Sequence, residues 1–300
     1  MTTDRTTQYA LDVLADKIVA GDLVKAACQR HIDDMKAAEA APYRYYFDVE
    51  EAERIIDFAE ALTIAEGEEE QPVTAYPFQC FILGSLNGWR TKDGHHRRFR
   101  TSYIQLGRQN GKSFLNGILA AYYGNFDKYK YGQVYCTATK KDQAMIVFNE
   151  IVKFINSDSD LSECFKIHEH NSTIECKITH SKIKALSGDT KSIDGFRPYL
   201  GIVDEYHAHK DDQMYKLLEG GIKKMKSALI SVIRTSLSSA RSFFTAAEPA
   251  APPPTTTTSD SRRSSAATDE VPKTALRAVT AARRRKEVRF CFMRDFLFQV

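Results

Sequence analysis

Across residues 8 to 65 the apolar positions recur at helical rather than strand spacing. Leu11, Leu14 and Ile18 share one face of a predicted helix, and Ile55, Phe58, Ala59 and Leu62 share another after Asp48. Between them Ala41, Pro42, Tyr43, Tyr45, Tyr46 and Phe47 read as a packed connection, and the acidic stretch Gly67 to Gln71 breaks the pattern. From Pro72 to about Val232 short apolar runs alternate with amphipathic stretches, which predicts an α/β domain with a mainly parallel sheet. Strands are expected over Phe99–Leu106, Gln133–Ala138 and Tyr199–Val203, with a hairpin over Ile174–Leu186. Helices are expected over Ser113–Tyr123, burying Leu115, Ile118, Leu119 and Tyr122, and over Lys141–Ile155, burying Ala144, Val147, Phe148, Ile151 and Ile155.

After about Ser236 the periodicity ends. Ser, Ala, Pro, Thr and Arg dominate, as in Ala250 to Thr258 and the basic run Arg283 to Lys286, a composition that cannot bury a core. A disordered tail is therefore expected over 236–300, although Phe290 to Val300 regains apolar residues.

The remaining composition changes this picture little. At 43% hydrophobic, 300 residues can build a sizeable core. The net charge of +3 is uneven: residues 241–300 hold 11 Lys/Arg against 6 Asp/Glu, leaving 31 against 33 elsewhere, so global charge says little about nucleic-acid binding by the folded part. No apolar run is long enough to cross a membrane, and no basic segment with an apolar stretch follows Met1. Six cysteines without a C-x-x-C pair suit reduced thiols, so a cytoplasmic location is expected.

The strongest chemical signal is Gly107-Arg108-Gln109-Asn110-Gly111-Lys112-Ser113, between a predicted strand and a predicted helix. Such a loop turns backbone N–H groups and the positive helix end toward phosphates. There Gly111 permits close approach, the Lys112 ammonium reaches the β and γ phosphates, and the Ser113 hydroxyl ligates Mg²⁺. The spelling departs from G-x-x-x-x-G-K-[ST], because Leu106 stands at the first glycine position. A second signal completes the first: Leu200-Gly201-Ile202-Val203 delivers Asp204 and Glu205 at a strand end, where open α/β sheets place ligands. Asp204 is expected to hold Mg²⁺ and Glu205 to polarise the attacking water. Arg108 could stabilise transition-state charge from within the same chain, and Gln79 could read an adenine edge through its amide.

Six stretches in one order, YALDVLADKIVAGDLVKAACQRHIDD (9 to 34), YPFQCFILGSLNGWR (76 to 90), QLGRQNGKS (105 to 113), CTATKKDQA (136 to 144), LSGDTKSIDGFRP (186 to 198) and LGIVDEYHAH (200 to 209), resemble the tailed-phage terminase large subunits. The resemblance covers about residues 8 to 233. It implies a P-loop NTPase using ATP and Mg²⁺. Gln79 would lie at the adenine, Gly107, Arg108, Gln109, Asn110, Gly111, Lys112 and Ser113 around the phosphates, Asp204 at the metal and Glu205 at the hydrolytic water. It also implies double-stranded DNA as cargo, the portal protein and the terminase small subunit as partners, a homo-oligomeric ring, and the bacterial cytoplasm as location. The chain is thereby expected to divide into a helical lead-in (1–71), a P-loop ATPase domain (72–235) and the tail (236–300).

The likeness stops near residue 233. Arg234-Thr235-Ser236-Leu237 departs from the family's Thr-Thr-Ala-Gly-like coupling motif, and low-complexity sequence stands where a nuclease domain would follow, which suggests a frameshift and a strand left uncovered. A helicase-like P-loop ATPase and an inactive prophage remnant stay open as alternatives. Cys164, His168, His170 and Cys176 have spacing that fits no usual zinc site. His95, His96, Arg97, Arg98 and Arg100 form a basic cluster, expected to be a solvated loop and alternatively a phosphate contact. His207 and His209 are expected to be loop residues beside the acids.

Overall fold

The computed structural model describes residues 3–40, 42–64, 71–187, 197–209, 211–235 and, for the backbone alone, 297–299. Three helices lead in: α1 (Arg5–Leu14), α2 (Asp22–Ala38) and α3 (Val49–Glu60), with the short strand β1 (Tyr45–Phe47) between the last two. Asp4 and Asp48 cap α1 and α3 by accepting the N–H of Thr7 (2.8 Å) and Glu51 (3.1 Å), which satisfies donors that have no partner inside the helix. Next come β2 (Thr63–Ile64), β3 (Gln71–Pro72), α4 (Pro77–Gly88) and β4 (Trp89–Thr91). Both α1 and α3 pack on α4, whose residues from Gln79 to Gly88 are all buried. The stripe that turns inward on α1 is Tyr9, Ala10 and Val13, whereas Leu11, expected on the buried face, is 42% exposed. Ile55, Ala59 and Leu62 are buried as the spacing predicts.

The α/β part follows as β5 (Thr101–Leu106), α5 (Lys112–Ala121) with a π-turn (Tyr122–Phe126), β6 (Gln133–Ala138), α6 (Lys141–Asn156), α7 (Ser159–Cys164), β7 (Phe165–His168), β8 (Thr173–Cys176), β9 (Lys182–Ser187), β10 (Pro198–Asp204), α8 (Gln213–Ile222), β11 (Leu229–Thr235) and β12 (Leu297–Gln299). The sheet order is β12-β5-β11-β10-β6-β9-β8-β7, parallel from β12 to β9 and antiparallel over β9, β8 and β7. The expected hairpin is therefore two strands of an antiparallel edge that includes β7. The expected tail contributes β12, while residues 236–296 lie outside the described residues.

Every residue of β10 is buried, as a central strand covered on both faces requires. β11 is not left uncovered: Leu229, Ile230, Val232 and Ile233 are fully buried, with α5 and α8 packed on it. This strand lies between β5 and β10, with Asp204 opposite Ile233 and Thr235 opposite Leu106. The loop after β5 and the acids after β10 consequently flank its end, separated by two strand spacings of about 5 Å each.

Of the basic cluster expected to be a solvated loop, the three arginines are instead engaged within the protein, while His95 is exposed. Arg97 is buried, donates to Asp127 Oδ2 (2.8 Å) and the Ser227 carbonyl, and lies over the rings of Tyr123 and Tyr199. Arg98 pairs with Asp34 at 2.6 Å and covers Trp89, and Arg100 donates to the Ile222 carbonyl. Cys28, Cys80, Cys136, Cys164 and Cys176 are free thiols. No helix among the described residues is long and apolar enough to cross a membrane.

Candidate nucleotide-binding site

The link from β5 to α5 is shaped by backbone that few side chains tolerate. Gln109 has φ +63°, and Gly111, at the start of α5, has φ +69°, in the left-handed region where glycine carries little penalty. A Cβ on Gly111 would lie 3.0 Å from Gln79 Nε2, and one on Gly107 would lie 2.7 Å from Asn110 Nδ2, so both glycines let the loop close on itself and on α4. The first intrahelical bond runs from the Leu115 N–H to the Gly111 carbonyl (2.9 Å), leaving the preceding N–H groups free of helical partners, as at any helix start. Gly107, Gly111, Lys112 and Ser113 are half-buried, and Arg108, Gln109 and Asn110 are exposed.

Lys112 crosses to the acids. Its Nζ is 3.1 Å from Asp204 Oδ1, in closer contact with Glu205 Oε1, and 3.4 Å from Thr235 Oγ1. Glu205 has φ +46°, a rare conformation for a non-glycine residue, and its N–H is 3.0 Å from Asp204 Oδ1. The Thr235 N–H donates to Glu205 Oε2 at 3.0 Å while its hydroxyl donates to Oε1. The turn after the acids folds both imidazoles back: His207 Nδ1 is 3.3 Å from Glu205 Oε2, and His209 Nε2 is 3.1 Å from the Asp204 carbonyl.

The two carboxylates are driven in opposite directions. Burial pushes the Asp204 pKa up, against the opposing pull of Lys112. Burial also acts to raise that of Glu205, but hydrogen bonds from Lys112 and Thr235 outweigh it and hold the carboxyl at about 2. Burial, with a smaller contribution from the Asp204 charge, pushes the neighbouring Cys136 thiol up to about 12, so it is inert.

The structure thus brings Lys112, Asp204 and Glu205 into one cluster. Gln79 adjoins the loop at Gly111, yet its Oε1 accepts the Tyr76 N–H (2.9 Å), so part of its amide ties the start of α4. Arg108 stands exposed on the loop. Sequence reasoning missed Thr235, whose signal was its place at the end of the apolar run Ala228–Ile233, and it missed the direct contact of His207 with Glu205.

A family model of the terminase large subunit ATPase domain matches residues 77–246. The terminase large subunit of Enterobacteria phage HK97 is 32% identical over 157 residues, 51% of this chain and 30% of that protein. The crystal structure of the HK97 large terminase aligns with a TM-score of 0.52 at 22% identity, covering 61% of this chain and 37% of that one, and shows the shared fold. The Thermus phage P74-26 large terminase ATPase domain aligns at a TM-score of 0.38 and 17% identity, over 47% of this chain and 61% of that one. The chain spans about a third of the length of the HK97 protein.

Proposed function

Because the chain belongs to the terminase large subunit ATPase-domain family, we propose that it binds and hydrolyses ATP to drive double-stranded DNA into a phage procapsid. The observation carrying this reading is the convergence of Lys112 on Asp204 and Glu205 at the end of β11. The residues fit a magnesium-bound triphosphate: a left-handed glycine opens α5, a lysine stands beside it, and a buried carboxylate faces that lysine. In this reading the amides of 107–113 and Lys112 hold the phosphates and Arg108 turns in from the loop. The Ser113 hydroxyl and Asp204 hold the magnesium, Gln79 lies on the adenine side, and Glu205 takes the proton of the attacking water. The metal supplies neutralisation of phosphate charge when bound.

A consequence for the base follows from its neighbours. With Lys112 and Thr235 both donating, Glu205 is held at about 2 and is a weak base. When Lys112 exchanges its carboxylate partners for phosphate oxygens, the largest lowering contribution leaves and Glu205 becomes more basic. Binding of the nucleotide and activation of the base are thereby one event. The portal protein, the terminase small subunit and a homo-oligomeric ring in the bacterial cytoplasm complete the reading.

Magnesium-dependent ATP turnover by the full chain tests it. Lys112→Ala and Glu205→Gln should each remove turnover, with Glu205→Gln retaining nucleotide binding. Absence of turnover at every magnesium and DNA concentration overturns it, and stimulation by unwinding substrates rather than by procapsid portal points to the helicase-like alternative.

A further inference from the structure

At the opposite end of the sheet from the acids, the segment entering β6 interleaves cations and rings as Lys128-Tyr129-Lys130-Tyr131. The parallel strands β6, β9 and β10 all begin here, about 20 Å of extended chain from Asp204. The Tyr131 ring stacks on His180, with centroids 5.4 Å apart and planes inclined by 23°, yet Tyr131 is 72% exposed. Both residues have φ +58°, a conformation that disfavours bulky side chains. The left-handed backbone is held in place by the Tyr131 N–H on the Thr179 carbonyl (2.8 Å) and the Gly132 N–H on Ser181 Oγ (2.8 Å). Two strained residues therefore present a stacked pair to solvent, which contributes nothing to a core. Beside it, Tyr129 stacks on buried Tyr199 at 4.3 Å, fixing the segment to β10. Lys130, which precedes Tyr131, and Lys177 and Lys182, which flank His180 in the chain from the end of β8 to the start of β9, are exposed.

We propose that this surface binds a nucleic-acid strand with unpaired bases, one base stacking on the Tyr131–His180 pair and the flanking phosphates meeting Lys130, Lys177 and Lys182. Rings with a free face suit unpaired bases, which every duplex hides, and ammonium groups close by in the chain suit a polyphosphate backbone. The surface rests on no residue of the nucleotide site, so its test stands apart from the ATPase reading.

Fluorescence anisotropy of a labelled oligothymidine with the full chain, without nucleotide, measures it. A Tyr131→Ala/His180→Ala double variant should bind at least about 10-fold more weakly, as expected for loss of base stacking, while Tyr131→Phe retains affinity. Lys130→Glu/Lys182→Glu should weaken binding and flatten its salt dependence. ATP turnover and the melting temperature of the variants, which lie far from the acids, should be unchanged. Unaltered strand affinity in the alanine double variant, or tighter binding of blunt duplex than of the strand, overturns the proposal.

Discussion

Thr235 holds the Glu205 carboxylate from two sides, its backbone N–H 3.0 Å from Oε2 and its hydroxyl on Oε1. Of these bonds only the hydroxyl's can be removed by mutation without moving the strand. Hydrogen bonds to a charged group contribute about 1.5–3 kcal/mol, equivalent to about 10- to 150-fold in rate if the whole effect falls on the base's orientation. Because the same hydroxyl also lowers the Glu205 pKa, Thr235→Ala should lower kcat by no more than that range, the lost orientation outweighing the gain in basicity, and leave KM for ATP nearly unchanged, while Thr235→Ser restores the rate. Steady-state turnover of the three proteins checks this, and a change confined to KM would place Thr235 in binding instead.

Asp204 illustrates a site residue that weakens the fold it serves. Its pKa is raised by burial, so the folded chain holds that proton more tightly than the unfolded chain does. Stability is then lost as pH rises through the ordinary carboxylate range, and the ionised group is a net cost at neutral pH. Asp204→Asn preserves an acceptor for the Glu205 N–H and removes the charge. The variant should melt at the same temperature as the parent or higher, and should lose the upward shift that magnesium and ATP give the parent. Thermal melts with and without magnesium ATP measure both, and an Asn variant melting several degrees lower would contradict this assignment.

The elements that were legible from sequence are those whose signal is local. Gln133–Ala138 is expected and found with the same boundaries, and the buried stripe of α6 follows from its spacing, whereas α5 is buried on all sides over Leu115–Ala121, beyond the expected Leu115, Ile118 and Leu119. The loop at 107–113 and the acids at 204 and 205 were legible because each is a short motif in its required setting. What sequence could not supply is which strand lies between them: β11 is inserted between β5 and β10 by pairing across long separations, and Thr235 has a role only through that insertion. On α1, Leu11 misled because apolar character alone does not say which of two adjacent stripes turns inward.

Arg97 is the sharpest departure from the sequence reading, because a cluster of cations reads as solvated whereas this guanidinium is 1% exposed. Asp127, Ser227, Tyr123 and Tyr199 surround it, and the Tyr199 hydroxyl donates to the same Asp127 oxygen at 2.5 Å. Burial acts to raise the Asp127 pKa, and the Arg97 charge together with the Tyr199 hydrogen bond and the Arg90 charge overcomes it and holds the group low. Arg97→Met should destabilise the chain by about 3–5 kcal/mol, since it strands a buried carboxylate. Adding Asp127→Asn should recover part of that loss. Urea unfolding of the single and double variants decides the matter, and strictly additive losses would show that the pair is not coupled.

His31 supplies a pH dependence whose sign can be worked out. Its ring lies among Phe47, Phe81 and Trp89, with Nδ1 accepting from the Trp89 indole N–H at 3.1 Å and Nε2 paired with the Thr7 hydroxyl at 3.0 Å. One imidazole thus ties α1, α2 and β4 while neutral. Burial pushes its pKa down from 6.5 to about 4, against nearby Asp4 and Asp34. Between those values the unfolded chain binds a proton that the folded chain does not, so stability is complete above about pH 6.5 and falls as pH drops toward 4. The shift corresponds to at most about 3 kcal/mol. His31→Gln, which cannot titrate, should lower stability at neutral pH by loss of ring packing and should flatten the decline between pH 6.5 and 4. Urea midpoints across that interval compare the two proteins, and parallel curves would show that His31 does not carry the acid sensitivity of the lead-in helices.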